Sequence, residues 1–143
     1  MGKIIVKKVN FEKYKDIIYS LRKEVFIDEQ KVPYEIEIDN FDKISDHFLL
    51  FLEKKAIAYG RIRYFDNYAK FERIAVLKKF RKKGYGKKIS EFMIIHCKKI
   101  GINKILLHSQ KHVIDFYQKI GFKEFGNFFY EADIKHRKME KNI

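Results

Sequence analysis

Apolar positions along the chain switch between short alternating or continuous runs and helical spacing, and each stretch predicts an element. "KIIVKKV" reads as a first strand. Asn10 is a fitting cap for a following helix, because Phe11, Tyr14, Ile17, Ile18, Leu21 and Val25 keep helical spacing. Pro33 and an acidic stretch then predict a loop with a short helix. "HFLLFLE", "AIAYGRIRYF" and "KFERIAVL" predict three consecutive strands, with polar turns at Lys54-Lys55 and Asp66-Asn67. Ile89, Phe92, Met93, His96, Cys97 and Ile100 lie on one stripe of a helix that Gly101 closes. "KILLHS" predicts a short buried strand, and Val113, Phe116, Tyr117 and Ile120 a helix ending at Gly121. Strands near Lys123 to Phe125 and Phe128 to Lys138 finish the chain as a hairpin. The alternation predicts an α/β fold, a mixed sheet covered by helices, in a single domain over residues 1–143.

Composition supports a packed interior. The 143 residues are 46% hydrophobic and include 14 Phe and 9 Tyr, enough apolar surface for one core and too short a chain for two. No apolar run reaches the roughly 20 residues that span a bilayer, and "MGKIIVKKVN" lacks the apolar centre of a secretory signal. The lone Cys97 cannot form an internal disulfide. Together these give the expectation of a cytoplasmic protein without membrane contact. Length leaves the oligomeric state open, and a homodimer is compatible with it.

Charge changes the picture more. The formal net charge is +13, yet residues 28–46 hold seven acids (Asp28, Glu29, Glu35, Glu37, Asp39, Asp42 and Asp46) against two lysines. The chain therefore has two electrostatic faces. The acidic one either draws in a cationic ligand or is a solvated surface. The basic one centres on "RKKGYG", between the strand ending near Leu77 and the helix beginning near Gly86. Backbone N–H groups converge at such a strand-to-helix turn, and Gly84 and Gly86 would let an anion approach without a Cβ in the way. Neither a Walker loop nor a dinucleotide fingerprint is present.

"ERIAVLKKFRKKGYGKKI" resembles the pyrophosphate-binding motif of the GNAT N-acetyltransferases, Q/R-x-x-G-x-G/A, with Arg81, Gly84 and Gly86 in the motif positions. "SQKHVIDFYQKIGFKEFG" is similar to the family's helix and strand ending in F-Y-x-x-x-G-F, and "LRKEVFIDEQKVPYEIEID" and "FYEADIKHRKM" look like its small ElaA-like branch. The resemblance implies a mostly antiparallel sheet splayed between the fourth and fifth strands, with acetyl-CoA in the splay; the scattered histidines give the separate expectation of no metal. By position, Ile74, Ala75 and Val76 would offer backbone groups to the pantetheine arm. Arg81, Lys82, Lys83, Gly84, Tyr85, Gly86 and Lys87 would cradle the pyrophosphate. Tyr117 would stand by the cofactor sulfur as general acid, although its place on an apolar stripe also suits a core residue.

The acceptor would be a primary amine, on a small molecule or a protein. An amine of pKa near 10.4 costs roughly 4 to 5 kcal/mol to deprotonate at pH 7, so a base or a water chain helps. Glu72 is one candidate, placed by period-two counting on the strand face of Ile74 and Val76. Glu29, Glu37 and His136 are others, expected at the acceptor mouth. His47 is expected at a sheet position open to the cleft, His96 as a packed histidine, and Cys97 as an inert small hydrophobe. His108 and His112 straddle a strand-to-helix junction without a third metal ligand. Two further classes fit the charge: a nucleic-acid surface built from the basic loop with Lys87, Lys88, Lys98 and Lys99, and an acyl-CoA-binding fold without catalysis.

Overall fold

The structure, a computed structural model, describes residues 2–143. Seven strands form one sheet: β1 (Ile4–Val9), β2 (Asp46–Leu52), β3 (Lys55–Tyr64), β4 (Ala69–Val76), β5 (Lys104–Gln110), β6 (Lys123–Glu131) and β7 (Ile134–Asn142). Their spatial order is β1-β2-β3-β4-β5-β7-β6. Every neighbouring pair is antiparallel except β4 with β5. This is the mixed, mostly antiparallel sheet that the sequence predicts.

Helix α1 (Phe11–Arg22) starts where Asn10 accepts a hydrogen bond from the Lys13 amide at 2.9 Å. Its stripe continues to Val25 through a π-helical segment, Lys23–Glu29, which helical spacing alone did not distinguish. A four-residue helix α2 (Tyr34–Glu37) follows Pro33. Helix α3 (Tyr85–Lys99) and the shorter α4 (Ile114–Lys119) each close on a left-handed glycine, Gly101 and Gly121.

Two apolar layers sandwich the sheet. On one face Ile89, Met93 and Cys97 of α3 and Ile114 and Tyr117 of α4 pack on Phe48, Phe71, Ile105 and Leu107. On the other, Ile18, Leu21 and Val25 pack on Leu49, Tyr59 and Ala75. The expectation for the last strand needs correcting. Phe128 to Glu131 belong to β6, and Ala132 and Asp133, both at positive φ, form the turn into β7. Aspartate takes that conformation more readily than most residues, alanine does not, and alternation gave no sign of the turn.

Two irregularities prepare the site. β4 and β5 share only three rungs, Ala69 with Ile105, Lys70 with Leu106 and Phe71 with Leu107, and then separate. β4 also carries a bulge: Tyr59 pairs with Ala75 but Arg61 with Glu72, and Arg73 sits at φ 58. One extra residue reverses the facing of everything beyond it. Phe71 before the bulge and Ile74 and Val76 after it therefore share the α3 face, while Ala75 joins the α1 layer. Glu72 lies on the α1 face, opposite Ile74 and Val76, and the period-two placement is overturned.

Candidate active site

The separation of β4 from β5 opens a cavity of about 860 Å³, in the range of sites that hold a sizeable ligand. Its wall has contributions from both sides of the sheet. Ile74, Val76, Gly84, Gly86, Val113 and Tyr117 belong to the α3–α4 side, and Gln30, Glu37, Glu72, His108 and His136 to the α1–α2 side.

At the α3 end, backbone geometry makes an anion cradle. Lys88 donates to the Gly84 carbonyl at 3.1 Å, so the Tyr85, Gly86 and Lys87 amides precede the first intrahelical bond. Gly84 sits at φ +87, where a side chain is strained, with open space where its Cβ would be. A Cβ on Gly86 would lie 3.3 Å from the Phe116 ring and 3.6 Å from Val76. The loop is thus closely fitted and bare on its cavity side, and Lys82 and Lys87 stand in the same wall. These features fit a diphosphate carried by an apolar arm running along Ile74 and Val76. Lys83 does not line the cavity.

Arg81 lines the cavity beside the loop, with its guanidinium engaged by groups of the chain itself. Its Nε donates to the Val76 carbonyl at 2.9 Å, and its two terminal nitrogens hold Glu29 at 2.5 and 2.6 Å. Glu29, expected at the acceptor mouth, is therefore the partner of Arg81, whose hydrogen bonds hold its carboxyl below the usual range. Beside it Gln30 accepts from Gln110 of β5 at 2.9 Å. The end of the π-helical segment is thereby tied to both walls of the splay.

The acidic stretch divides: Asp28, Glu29 and Glu35 are exposed, as a solvated face requires, whereas Glu37, Asp39 and Asp42 are drawn inward by arginines. Arg22, fully buried, donates to Glu37 at 2.8 Å and Asp42 at 2.7 Å. Arg61, also fully buried, holds Asp39 at 2.8 Å, Asp42 at 2.9 Å and Glu72 at 2.9 Å. Arg73 adds hydrogen bonds to Glu37 and Asp39. The acids from Glu37 to Asp42 thus form an internal ion-pair lattice, and Glu37 is a structural anchor in the cavity wall. Glu72 is held by Arg61, Arg63 and Lys70 together. Burial raises its pKa, the three cations outweigh burial, and the net direction is downward. A carboxylate so held is a weak proton acceptor.

Tyr117 is 8% exposed, its ring edge-on to Phe116 and Phe122. Among the described residues its hydroxyl has no hydrogen-bond partner, and burial pushes the phenol upward, keeping it protonated. It is both a core ring and a free donor at the cavity wall. His136 lines the cavity, with Nδ1 2.7 Å from the Ile134 carbonyl and its ring stacked on Phe129. His47 is not open to the cleft: it is buried between the Tyr59 hydroxyl at 2.6 Å and the Asp42 carbonyl at 2.7 Å. His96 packs edge-on to Phe48. Cys97 is buried in the core, and burial with Asp46 nearby pushes its thiol up to about 12.

Residue spacing gave no sign of one pair. His108 Nδ1 lies 2.6 Å from Glu131 Oε1, joining β5 to the β6–β7 turn, and both line the cavity. Strand β7 lies between β5 and β6, so the pair forms only because the end of β6 brings Glu131 back over β5, which no sequence pattern shows. Among the described residues no group of three side chains suits a metal.

With this geometry established, similarity to known proteins becomes informative. A sequence profile described as an acetyltransferase (GNAT) domain matches residues 12–143. The chain is 36% identical over 141 residues to the uncharacterised N-acetyltransferase YjcF of Bacillus subtilis (strain 168), covering 98% of this chain and 99% of that one. Its fold is similar to that of Escherichia coli ElaA, with a TM-score of 0.87 at 24% identity over 96% of this chain and 99% of that one. PaiA N-acetyltransferase from Thermoplasma acidophilum, solved in complex with coenzyme A, has a TM-score of 0.75 at 18% identity, each chain covered to 99%. An N-terminal helix, a bulged fourth strand, a glycine loop opening α3 and a splayed fifth strand are thus found in a chain whose sequence places it in the GNAT acetyltransferase family.

Proposed function

We propose that the protein is an N-acetyltransferase that moves an acetyl group from acetyl-CoA to a primary amine by direct attack, with both substrates bound together. The observation that carries this reading is the cavity running through the β4–β5 splay. It joins the anion cradle on one face of the sheet to a polar, histidine-bearing wall on the other. Donor and acceptor can then meet from opposite faces.

The Tyr85, Gly86 and Lys87 amides, with the Lys82 and Lys87 charges, hold the diphosphate of the donor. Backbone groups of Ile74, Ala75 and Val76 beyond the last β4–β5 rung hold the pantetheine arm, because β5 no longer takes them up. Near the bulge at Arg73, strand amides are placed to stabilise charge on the thioester oxygen, and a fixed donor needs no reorganisation. Tyr117 supplies a proton to the departing thiolate. Glu72 keeps a fixed negative charge among its cations, and His136 contacts the acceptor.

Two other readings were left by the charge distribution. Lys82 and Lys87 turn into the cavity wall, which supports the cofactor over a nucleic-acid stripe. A fold without catalysis would leave unused the Tyr117 hydroxyl, which has no partner among the described residues. Calorimetric titration with acetyl-CoA, paired with product assay across amines and repeated with a DNA duplex as competitor, tests all three. Saturable acetyl-CoA binding and acetyl transfer support the proposal. Binding without transfer to any amine favours a non-catalytic fold, and salt-sensitive DNA binding without acetyl-CoA binding overturns the reading.

A further inference from the structure

Resting on that reading, we infer that His108 is the general base that takes the proton from the acceptor ammonium, and that Glu131 positions it. His108 follows Leu107, the last β5 residue paired with β4, so it stands where the strands part. Alternation along β5 puts it on the α1 face, which β4 presents through Glu72 on the adjoining strand. That is the face opposite the anion cradle.

The hydrogen bond fixes the tautomer. With Nδ1–H donating to Glu131 Oε1 at 2.6 Å, Nε2 carries the lone pair, and it is the nitrogen left for the cavity that His108 lines. The Phe129 ring, edge-on at 5.0 Å, holds the imidazole plane. A carboxylate on Nδ1 stabilises the imidazolium that forms when Nε2 takes a proton. In the proposed step an N–H bond of the ammonium breaks, its electron pair stays on nitrogen, and the proton bonds to Nε2. The freed amine then attacks the thioester carbon, the C–S bond breaks, and the thiolate takes the Tyr117 proton. The amide nitrogen, on losing its extra proton, restores the phenol. The proton on His108 leaves to water past Glu131, which is half-exposed.

Other groups in this wall are less suited. Glu72 is held by three cations. Glu37 is enclosed by Arg22 and Arg73. The charged or titratable groups around His108 are Glu131 of β6, Lys70 and Glu72 of β4, and His136 and Lys138 of β7, the last being its cross-strand partner. His136 has Nδ1 committed to a backbone carbonyl, and the nearby Glu131 carboxylate hydrogen-bonds His108 rather than this ring.

The test compares amines that need a base with one that does not. Acetyl transfer to lysine amide, a diamine and an amino sugar, and to hydroxylamine, which is neutral at pH 7, is measured from about pH 5 to 9 for wild type, His108→Gln and Glu131→Gln. His108→Gln is expected to lose about 100-fold with the alkyl amines at pH 7, and the deficit shrinks as pH rises. With hydroxylamine the loss should be below about 5-fold if proton removal is the function of His108. Glu131→Gln is expected to lose about 10-fold, with the acid limb of its profile displaced. Calorimetric acetyl-CoA affinity reports folding of each variant. Equal losses with both amine classes, or an unchanged alkyl-amine rate, overturn the assignment while leaving the acetyltransferase reading standing. Absence of transfer by wild type to every amine, hydroxylamine included, overturns both.

Discussion

Single residues divide into those that act through backbone and those that act through side chains, and the two respond differently to substitution. Gly84→Val forces a β-branched residue into φ +87 and puts bulk on the open side of the loop. A non-glycine residue there costs on the order of 1–3 kcal/mol before any ligand contact is lost. Acetyl-CoA affinity by calorimetry should fall by at least about 10-fold. Arg81→Met should weaken binding less than Gly84→Val does, because the Arg81 guanidinium is already occupied by Glu29 and Val76. A larger loss in Arg81→Met would mean that Arg81 leaves Glu29 for the phosphate. Tyr117→Phe removes a hydroxyl that has no partner among the described residues and keeps the ring in the core. Turnover should drop by about 100-fold with acetyl-CoA affinity nearly unchanged, whereas unchanged turnover would assign Tyr117 to packing alone. That Gly84, Gly86 and Tyr117 line one cavity was legible because motif and periodicity are local. The state of Arg81 was not, since its partner Glu29 lies 52 residues earlier in the chain.

Elements bring such distant residues together, and here the decisive one is the acidic connection between α1 and β2. Its carboxylates interlock with Arg22 of α1, Arg61 of β3 and Arg73 of β4. Arg61→Met would leave Asp39, Asp42 and Glu72 each short of a partner. Breaking a buried charge network from one side costs about 3–5 kcal/mol, so thermal or urea unfolding should show a loss of that size. Acid should act on the same lattice. Burial raises Asp39, the Arg61 hydrogen bonds outweigh it, and its pKa falls to about 2, below the roughly 3.9 of an unfolded aspartate. A depressed pKa contributes stability above the unfolded value that is lost as pH falls through the folded one. The unfolding midpoint should therefore decline between about pH 4 and pH 2, and Asp39→Asn should flatten that slope. Six strands and the helices were legible from period and caps. The β4 bulge was not, because the alternation of "KFERIAVL" is the same with or without an extra residue, and only pairing against β3 shows Arg61 opposite Glu72. An acidic composition likewise does not say whether arginines from three other elements will neutralise it.

Across the molecule, the proposed reaction has donor and acceptor entering one splay from opposite faces, and that arrangement would determine the order of chemistry. Transfer through an acyl-enzyme needs a nucleophile in the cavity. The single thiol, Cys97, lies in the core between α3 and the sheet, with its ionisation pushed up to about 12. Ser109, which lines the cavity, is 1% exposed and donates its hydroxyl to the Gln110 carbonyl at 2.9 Å, without a base as partner. An amine entering from the α1 face would instead reach the thioester directly while the donor is held from the α3 face. Initial rates with both substrates varied should give intersecting lines in double-reciprocal form, and Cys97→Ala should leave that pattern unchanged. Parallel lines, with acetyl-enzyme trapped in the absence of amine, would mean a covalent route. In that event a nucleophile other than Cys97 would have to approach the cavity, and the two-faced splay would serve to exchange CoA for amine rather than to hold both.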